Sequence, residues 1–321
     1  MDDVKKSFFT VAIPVYNRLE FTKQAIESVL NQTFKDFELL IVDDCSSEDA
    51  VWEYINNIKD IRVRVYRNEK NLGIVPNWRR CIELAKGKWF RFLLNDDLLF
   101  KDALEVTEEL IRKFPENKVI VTSGKDFQDL REVVNYLEIG KQKRNLPENI
   151  LKNMGEIIKK RKKFVQTWAM PNAYTLPAED LKELIRTQKY KIVEENLGKT
   201  GHCVDYFILY AVATKYKTMI EMDLPLYGVR YHETNLSKSY NQNLLYHLNG
   251  DKFVHKLLYD YRGFENLYFA SHAFYIYFNK IFSNKRKIFS RWPFIWTGQL
   301  FIFLFRHSFG LKPTLNMKSY A

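Results

Sequence analysis

Cysteine is scarce in this 321-residue chain: three occur, Cys45, Cys81 and Cys203, far apart and in neither CxxC nor Cys/His spacing. That excludes a disulfide framework and a structural zinc site, and leaves the three to be read as small buried side chains. A secretory leader is not expected either, since MDDVKKSFFTVAIPVY mixes acids and bases before a short apolar run broken by Pro14; the expected location is the cytosol. The apolar segment WPFIWTGQLFIFLF at 292–305 is fourteen residues long and contains Pro293, Gly298 and Gln299, short of the roughly 20 residues that span a bilayer. Acid is absent from Asn266 to Ala321, where eight basic residues stand alone.

What is present is 46% apolar residues, the content of an ordinary globular protein with one large core or two joined ones. The net charge of +11 would suggest nucleic acid or an anionic membrane if it were spread over one face. It is instead concentrated in the acid-free tail and in 141–163, where nine basic residues face Glu148 and Glu156. These two segments carry more than the whole net charge, so the remainder is net acidic and no nucleic-acid partner is expected. Steeply salt-dependent binding of RNA or DNA would be needed to revive that role for 141–163. In the tail, 292–305 holds two tryptophans between Lys285, Arg286, Lys287 and Arg291 on one side and Arg306 on the other. That is the chemistry of an interfacial anchor for an anionic membrane surface; the alternative is a buried helix with solvated basic flanks.

FFTVAIPVY (8–16) reads as a strand, and Arg18 to Gln32 follow as a helix with Ala25, Ile26, Val29 and Leu30 at helical spacing. The unit recurs. FELLIVDD (37–44) precedes a polar turn and a helix-compatible stretch to Ile58, then come RVRVYR (62–67), a loop with Asn71 and Gly73, a helix over Asn77 to Lys86 and the strand KWFRFLLN (88–95). This alternation implies an α/β fold, a Rossmann-like, mainly parallel sheet with helices on both faces. In such sheets ligands bind beyond the carboxyl ends of the strands, where Tyr16-Asn17, Asp43-Asp44 and Asn95-Asp96-Asp97 all fall. After VIVTSG (119–124) the chain turns polar and basic; WAMPNAYTLPAEDLKELI, from Trp168, then reads as strand, turn and helix. DYFILYAVATKYK (205–217) reads as a helix, LPLYGVRYH (224–232) as the end of a strand, and the aromatic-rich region from 241 as helical.

Asp96-Asp97 puts two carboxylates at a strand end. A hard divalent cation, Mn²⁺ or Mg²⁺, takes only one or two protein carboxylates and completes its shell with phosphates and water. Alone the pair reads more plainly as a loop cap; the neighbouring motifs change that. VAIPVYN (11–17), SVLNQTF (28–34), FELLIVDDCSS (37–47), NEKNLGIVPNW (68–78), AKGKWFRFLLNDD (85–97) and VRYHETNLS (229–237) stand in one order and spacing. Over Thr10 to Ser239 the chain resembles the family 2 glycosyltransferases of bacterial polysaccharide type, which share the GT-A fold. The resemblance implies an inverting, metal-dependent glycosyltransferase with a nucleotide-diphosphate sugar as donor, UDP preferred, and a glycan or lipid-linked saccharide as acceptor. With the basic, aromatic tail, the expected position is peripheral on the inner face of the cytoplasmic membrane. Together with the change of pattern after 124, the resemblance divides the chain into 1–124 for the nucleotide-sugar and 125–240 for the acceptor side and completion of the GT-A fold; composition sets 241–321 apart as a helical, basic part suited to membrane association.

Residue by residue, the resemblance implies that Pro14, Tyr16 and Asn17 line the base pocket with Tyr16 stacking on the base. Asp44 would hydrogen-bond a base edge and Asp43 position that loop, Asn71 and Gly73 would shape the loop near base and ribose, and Asp96 would contact ribose or sugar. Asp97 would be the direct metal ligand. Asp205 matches the family's catalytic base, although Val204 replaces the acid that commonly precedes it, and Glu194 and Glu195 are its substitutes. His232 matches a position near diphosphate and metal, as a ligand or as a structural histidine. Arg79 stands where many relatives have asparagine and either reaches phosphate or lies on a solvated helix face. Two rivals remain: a non-catalytic nucleotide-sugar-binding scaffold, and a nucleotidyltransferase, against which IPVYNR lacks a glycine-rich phosphate cradle.

Overall fold

The structure, a computed structural model, describes residues 6–138, 151–153, 170–198, 201, 204–216, 218–233 and 235. All lie in the first of two compact units, Met1–Gly250. Most of the basic segment 141–163, Cys203, the expected helical region from 241 and the candidate membrane segment 292–305 lie outside the described residues.

Strands and helices alternate as expected: β1 (Phe9–Val15), α1 (Leu19–Leu30), β2 (Phe37–Asp43), α2 (Asp49–Asn56), β3 (Val63–Arg67), α3 (Ile74–Leu84) and β4 (Trp89–Phe92). Every residue of β2 is buried, the signature of a strand covered on both faces. The four strands pair in parallel in the order β3-β2-β1-β4. The chain therefore steps outward from β1 to β3 and then returns to the far side of β1. With right-handed crossovers, that reversal puts α1 and α2 on one face and α3 on the other. It also opens a crevice between the carboxyl ends of β1 and β4, the topological switch point where ligands of such sheets bind.

Beyond β4 come β5 (Leu98–Leu99), α4 (Ala103–Lys113), β6 (Ile120–Phe127), α5 (Val134–Glu138), β7 (Leu151–Asn153), β8 (Tyr174–Pro177), α6 (Ala178–Ile185), α7 (Gln188–Leu197), α8 (Val204–Ala213) and β9 (Thr218–Arg230). They extend the same sheet as β4-β8-β6-β9-β5, with β7 also on β9. Here the pairing is mixed: β8 runs antiparallel to β4 and β6, and β9 runs parallel to β6.

Prolines and one glycine set local details that the periodicity misses. Pro14 lies beyond the last β1–β4 pair, Ala12 with Phe92, so its missing N–H breaks no ladder bond. α3 begins at Ile74 and not at Asn77, because Gly73 takes φ 92° as its N-cap and Pro76 sits in the first turn, where a missing N–H is tolerated. Between β8 and α6 there is no turn, since Pro177 ends the strand and caps the helix.

A buried polar knot fixes β4 against β1 and β2. Thr10 Oγ1 donates to Glu38 Oε1 at 2.5 Å and accepts from the Gly87 N–H at 2.8 Å, while Arg64 Nη1 donates to Glu38 Oε2 at 2.6 Å. Burial alone would raise the Glu38 carboxyl, but bonds from Thr10, Arg64 and the Lys86 N–H outweigh it and hold the group below its ordinary value. A Cβ at Gly87 would meet the Thr10 nitrogen at 2.4 Å, so only glycine permits this approach. Cys81 is fully buried as expected, its thiol pushed up by burial. Cys45 departs from the expectation: it is half-buried, in the left-handed region at φ 57°, because it turns the chain out of β2.

Candidate active site

Three strand ends bring the sequence-selected polar residues to the switch-point crevice. After β1, Pro14 is half-buried and Tyr16 is 45% exposed, its ring free of the core. Asn17 and Arg18 then take consecutive left-handed conformations, φ 57° and φ 66°, tolerable for asparagine and costly for arginine. The loop after β2 enforces them. Asn17 Oδ1 accepts from the N–H groups of Ser47 (2.9 Å) and Glu48 (3.2 Å), and the Asn17 N–H donates to Ser46 Oγ at 2.7 Å.

After β2, Asp43 is fully buried, accepts from the Ser46 N–H at 3.1 Å and is ion-paired with Arg67, Nε to Oδ2 3.2 Å. It shapes its own loop. Asp44 accepts from Asn68 Nδ2 (2.8 Å) and from the N–H groups of Leu72 and Gly73 (2.9 Å each). These bonds tie the exposed Asn71 loop to β2 and occupy three of the roughly four acceptor positions of a carboxylate.

After β4, Asp96 and Asp97 are both buried. Asp96 Oδ2 accepts from Arg18 Nη1 at 2.5 Å and faces His232 Nε2 at 3.1 Å. Asp97 accepts from Asn172 Nδ2 at 2.5 Å and from the Arg230 N–H at 2.8 Å. Burial, with the Asp96 charge beside it, pushes the Asp97 carboxyl well above its ordinary range against the pull of these two donors. Arg230 Nε donates to the Asp96 carbonyl at 2.9 Å, and its guanidinium lies between the rings of Phe21 (4.6 Å) and Phe127 (4.7 Å). Phe21 also packs on the His232 ring, centroids 4.9 Å apart.

Asp205 opens α8, which packs on β8 and α6. Its charge bears on the buried Tyr174 hydroxyl, which burial already raises well above its ordinary value. Tyr174 is the first residue of β8, two positions after Asn172, the partner of Asp97. Arg79 is not bonded to the acidic pair: its Nε donates to Glu194 at 2.9 Å and its Nη1 to Glu83 at 3.1 Å, joining α3 to α7. Glu194 is engaged by that contact. Glu195 is exposed on the same helix.

Among the described residues no three His, Cys, Asp or Glu side chains gather into a metal cluster. The adjacent carboxylates of Asp96 and Asp97 fit a cation that takes one or two protein oxygens and keeps phosphate and water ligands, since they are buried, repel each other and retain free lone pairs. Residues that sequence reasoning missed hold this pair: Asn172, fully buried between Asp97 and the Leu94 N–H at 2.8 Å, Arg18 on Asp96, and Arg230. Arg230 stands inside the VRYHETNLS motif and Arg18 directly follows VAIPVYN, whereas Asn172 carries no local signal at all.

A doubly wound α/β sheet with carboxylates at the switch point and a mixed extension beyond β4 defines a protein of the GT-A fold. Residues 10–174 match the pattern of "Glycosyl transferase family 2", and the chain belongs to that family. An uncharacterized glycosyltransferase of Rickettsia felis is 40% identical over 131 residues, which are 40% of this chain and 21% of the relative. The aligned part thus spans about a fifth of that relative's length. Among solved structures, S. aureus TarS in complex with UDP-GlcNAc superposes with TM-score 0.54 at 16% identity, covering 78% of this chain and 66% of TarS. A Pyrobaculum calidifontis mannosyltransferase in complex with GDP-Man and Mn²⁺ superposes with TM-score 0.51 at 12% identity, covering 95% and 83%. At these identities the likeness is one of fold.

Proposed function

We propose that this chain transfers a sugar, with inversion, from a nucleoside-diphosphate donor, UDP preferred, to a hydroxyl of a glycan or lipid-linked acceptor. The observation that carries the reading is the buried pair Asp96-Asp97 at the switch point, with His232 Nε2 3.1 Å from Asp96. The exposed Tyr16 ring supplies a stacking face for the base beside Pro14 and Asn17, and the remaining acceptor position of Asp44 takes a base N–H. Asn71 and Gly73 border base and ribose. Asp96 contacts ribose or sugar, and Asp97 with His232 would hold a divalent cation, whose charge would stabilise the departing diphosphate.

The Asp205 carboxylate takes the proton of the acceptor hydroxyl as that oxygen bonds to the anomeric carbon. The bond from that carbon to the diphosphate oxygen breaks, and the nucleotide leaves with the electron pair. Arg79, paired with Glu83 and Glu194, takes no part. Among the described residues no helix is long and apolar enough to cross a membrane. The basic, aromatic tail supports peripheral attachment to the inner leaflet, and deleting 283–321 is expected to release the chain from anionic vesicles with nucleotide binding intact.

Calorimetric binding of UDP, GDP, TDP and CDP, with and without Mn²⁺, to wild type and Asp97→Ala tests the proposal. Tight Mn²⁺-dependent binding of one nucleotide, lost in the variant, is expected. No binding of any of the four by folded protein would overturn it.

A further inference from the structure

Arg18 is ion-paired with Asp96 and has no part in the proposed chemistry. Its placement is enforced: Asn17 and Arg18 are consecutive left-handed residues, φ 57° and φ 66°, and both backbone N–H groups are held from the β2 loop, by Ser46 at 2.7 Å and Glu48 at 3.3 Å. A residue kept in a sparsely populated region by surrounding bonds points to a functional demand on where its side chain goes. That side chain ends 2.5 Å from Asp96 Oδ2, the oxygen that His232 Nε2 faces at 3.1 Å. A cation on His232 would therefore share the Asp96 carboxylate with the guanidinium, and two positive charges on one carboxylate in a half-buried site repel. A second anion beside them offsets the charge that Asp96 leaves. The amino end of α1 begins at the same residue, with no side-chain cap from Arg18, and adds its own positive potential.

We infer that Arg18 is a diphosphate-binding residue of the donor site, and that its ion pair with Asp96 competes with the divalent cation until the diphosphate bridges the two. Arginine suits the role because its planar fork pairs two phosphate oxygens at once. The inference rests on the proposed cation and nucleotide site, and it makes binding of the two ligands interdependent: cation alone is disfavoured, cation with diphosphate is favoured.

The test uses the full chain as wild type, Arg18→Gln and Arg18→Lys, with Mn²⁺ binding followed by electron paramagnetic resonance and UDP and uridine binding by calorimetry. In Arg18→Gln, Mn²⁺ alone is expected to bind several-fold more tightly, UDP with Mn²⁺ about tenfold more weakly, and uridine as in wild type. Arg18→Lys should fall between. A purely structural role would weaken all three ligands together, and that result overturns the inference, as does unchanged UDP affinity or unchanged Mn²⁺ affinity in Arg18→Gln. If wild type itself bound neither Mn²⁺ nor UDP, the proposed function would fall and this inference with it; normal wild-type binding with no contrast between variants would sink the inference alone.

Discussion

The half of the sheet formed by β3, β2, β1 and β4 is parallel and built from consecutive βα units, whereas the half formed by β8, β6, β9 and β5 is mixed and takes its strands from scattered parts of the chain. The contacts follow the same division. Around β1 and β2, Asn17 bonds Ser47 across 30 residues and Asp44 bonds Gly73 across 29. Around the acidic pair, Asp97 is held by Asn172 and Arg230, 75 and 133 residues away. The parallel half offers a pocket from local units; the mixed half reaches back and fixes the carboxylates that give the pocket its chemistry.

If that division is right, changes at the junction should cost most. Asp97→Ala is expected to lower transfer by about ten thousandfold or more, from the loss of charge stabilisation at the leaving diphosphate, and to abolish Mn²⁺-dependent nucleotide binding. Steady-state turnover and calorimetry read the two effects. Asp205→Asn, on the mixed side, should lower transfer by about a thousandfold through loss of the base while nucleotide affinity stays near wild type; retained turnover would show that the base lies elsewhere.

Asn172→Ala probes the reach from the mixed half into the site. It leaves Asp97 Oδ2 and the Leu94 N–H without partners, a cost of about 1–3 kcal/mol in urea unfolding, and it should weaken Mn²⁺-dependent nucleotide binding from outside the parallel half. An unchanged nucleotide affinity would argue that the parallel half is sufficient by itself.

The smallest effect belongs to Glu38, inside the parallel half and away from the chemistry. Its folded-state value is depressed below 4.5, so its contribution to stability is present above that value and is lost as pH falls through the depressed one. Glu38→Gln should therefore be less stable than wild type at neutral pH, show a shallower fall in melting temperature under acid, and keep its nucleotide affinity. A parallel acid profile in both proteins would mean that the Thr10–Glu38–Arg64 knot does not depend on the charge.

Much of the parallel half was legible before any coordinates. Apolar runs of strand length, turn residues at their ends and helical spacing between them are local properties, and the switch-point rule then says which ends matter. Asp43 as the residue that positions its loop came from the family resemblance, and the partner it meets there, Ser46, is three residues on. Arg79 was not decided by its position in α3, because either a phosphate or an acid on another helix would satisfy a half-exposed guanidinium; Glu194 on α7 is what it meets.

By itself, then, the sequence determined the alternating α/β order, the strand-end placement of Tyr16, Asp43, Asp44, Asp96 and Asp97, and membership of a family whose motifs stand in fixed order. Tertiary structure alone decided who neutralises and orients the acidic pair. Asn172 announces nothing in the mostly apolar run WAMPNAYTLP, and Arg18 and Arg230 become partners of Asp96 only when β1, β4 and β9 end in one layer. The physical reason is range: periodicity and turn chemistry act within a few residues, whereas a buried charge is satisfied by whatever donor the fold brings within hydrogen-bond distance, however far away in the chain.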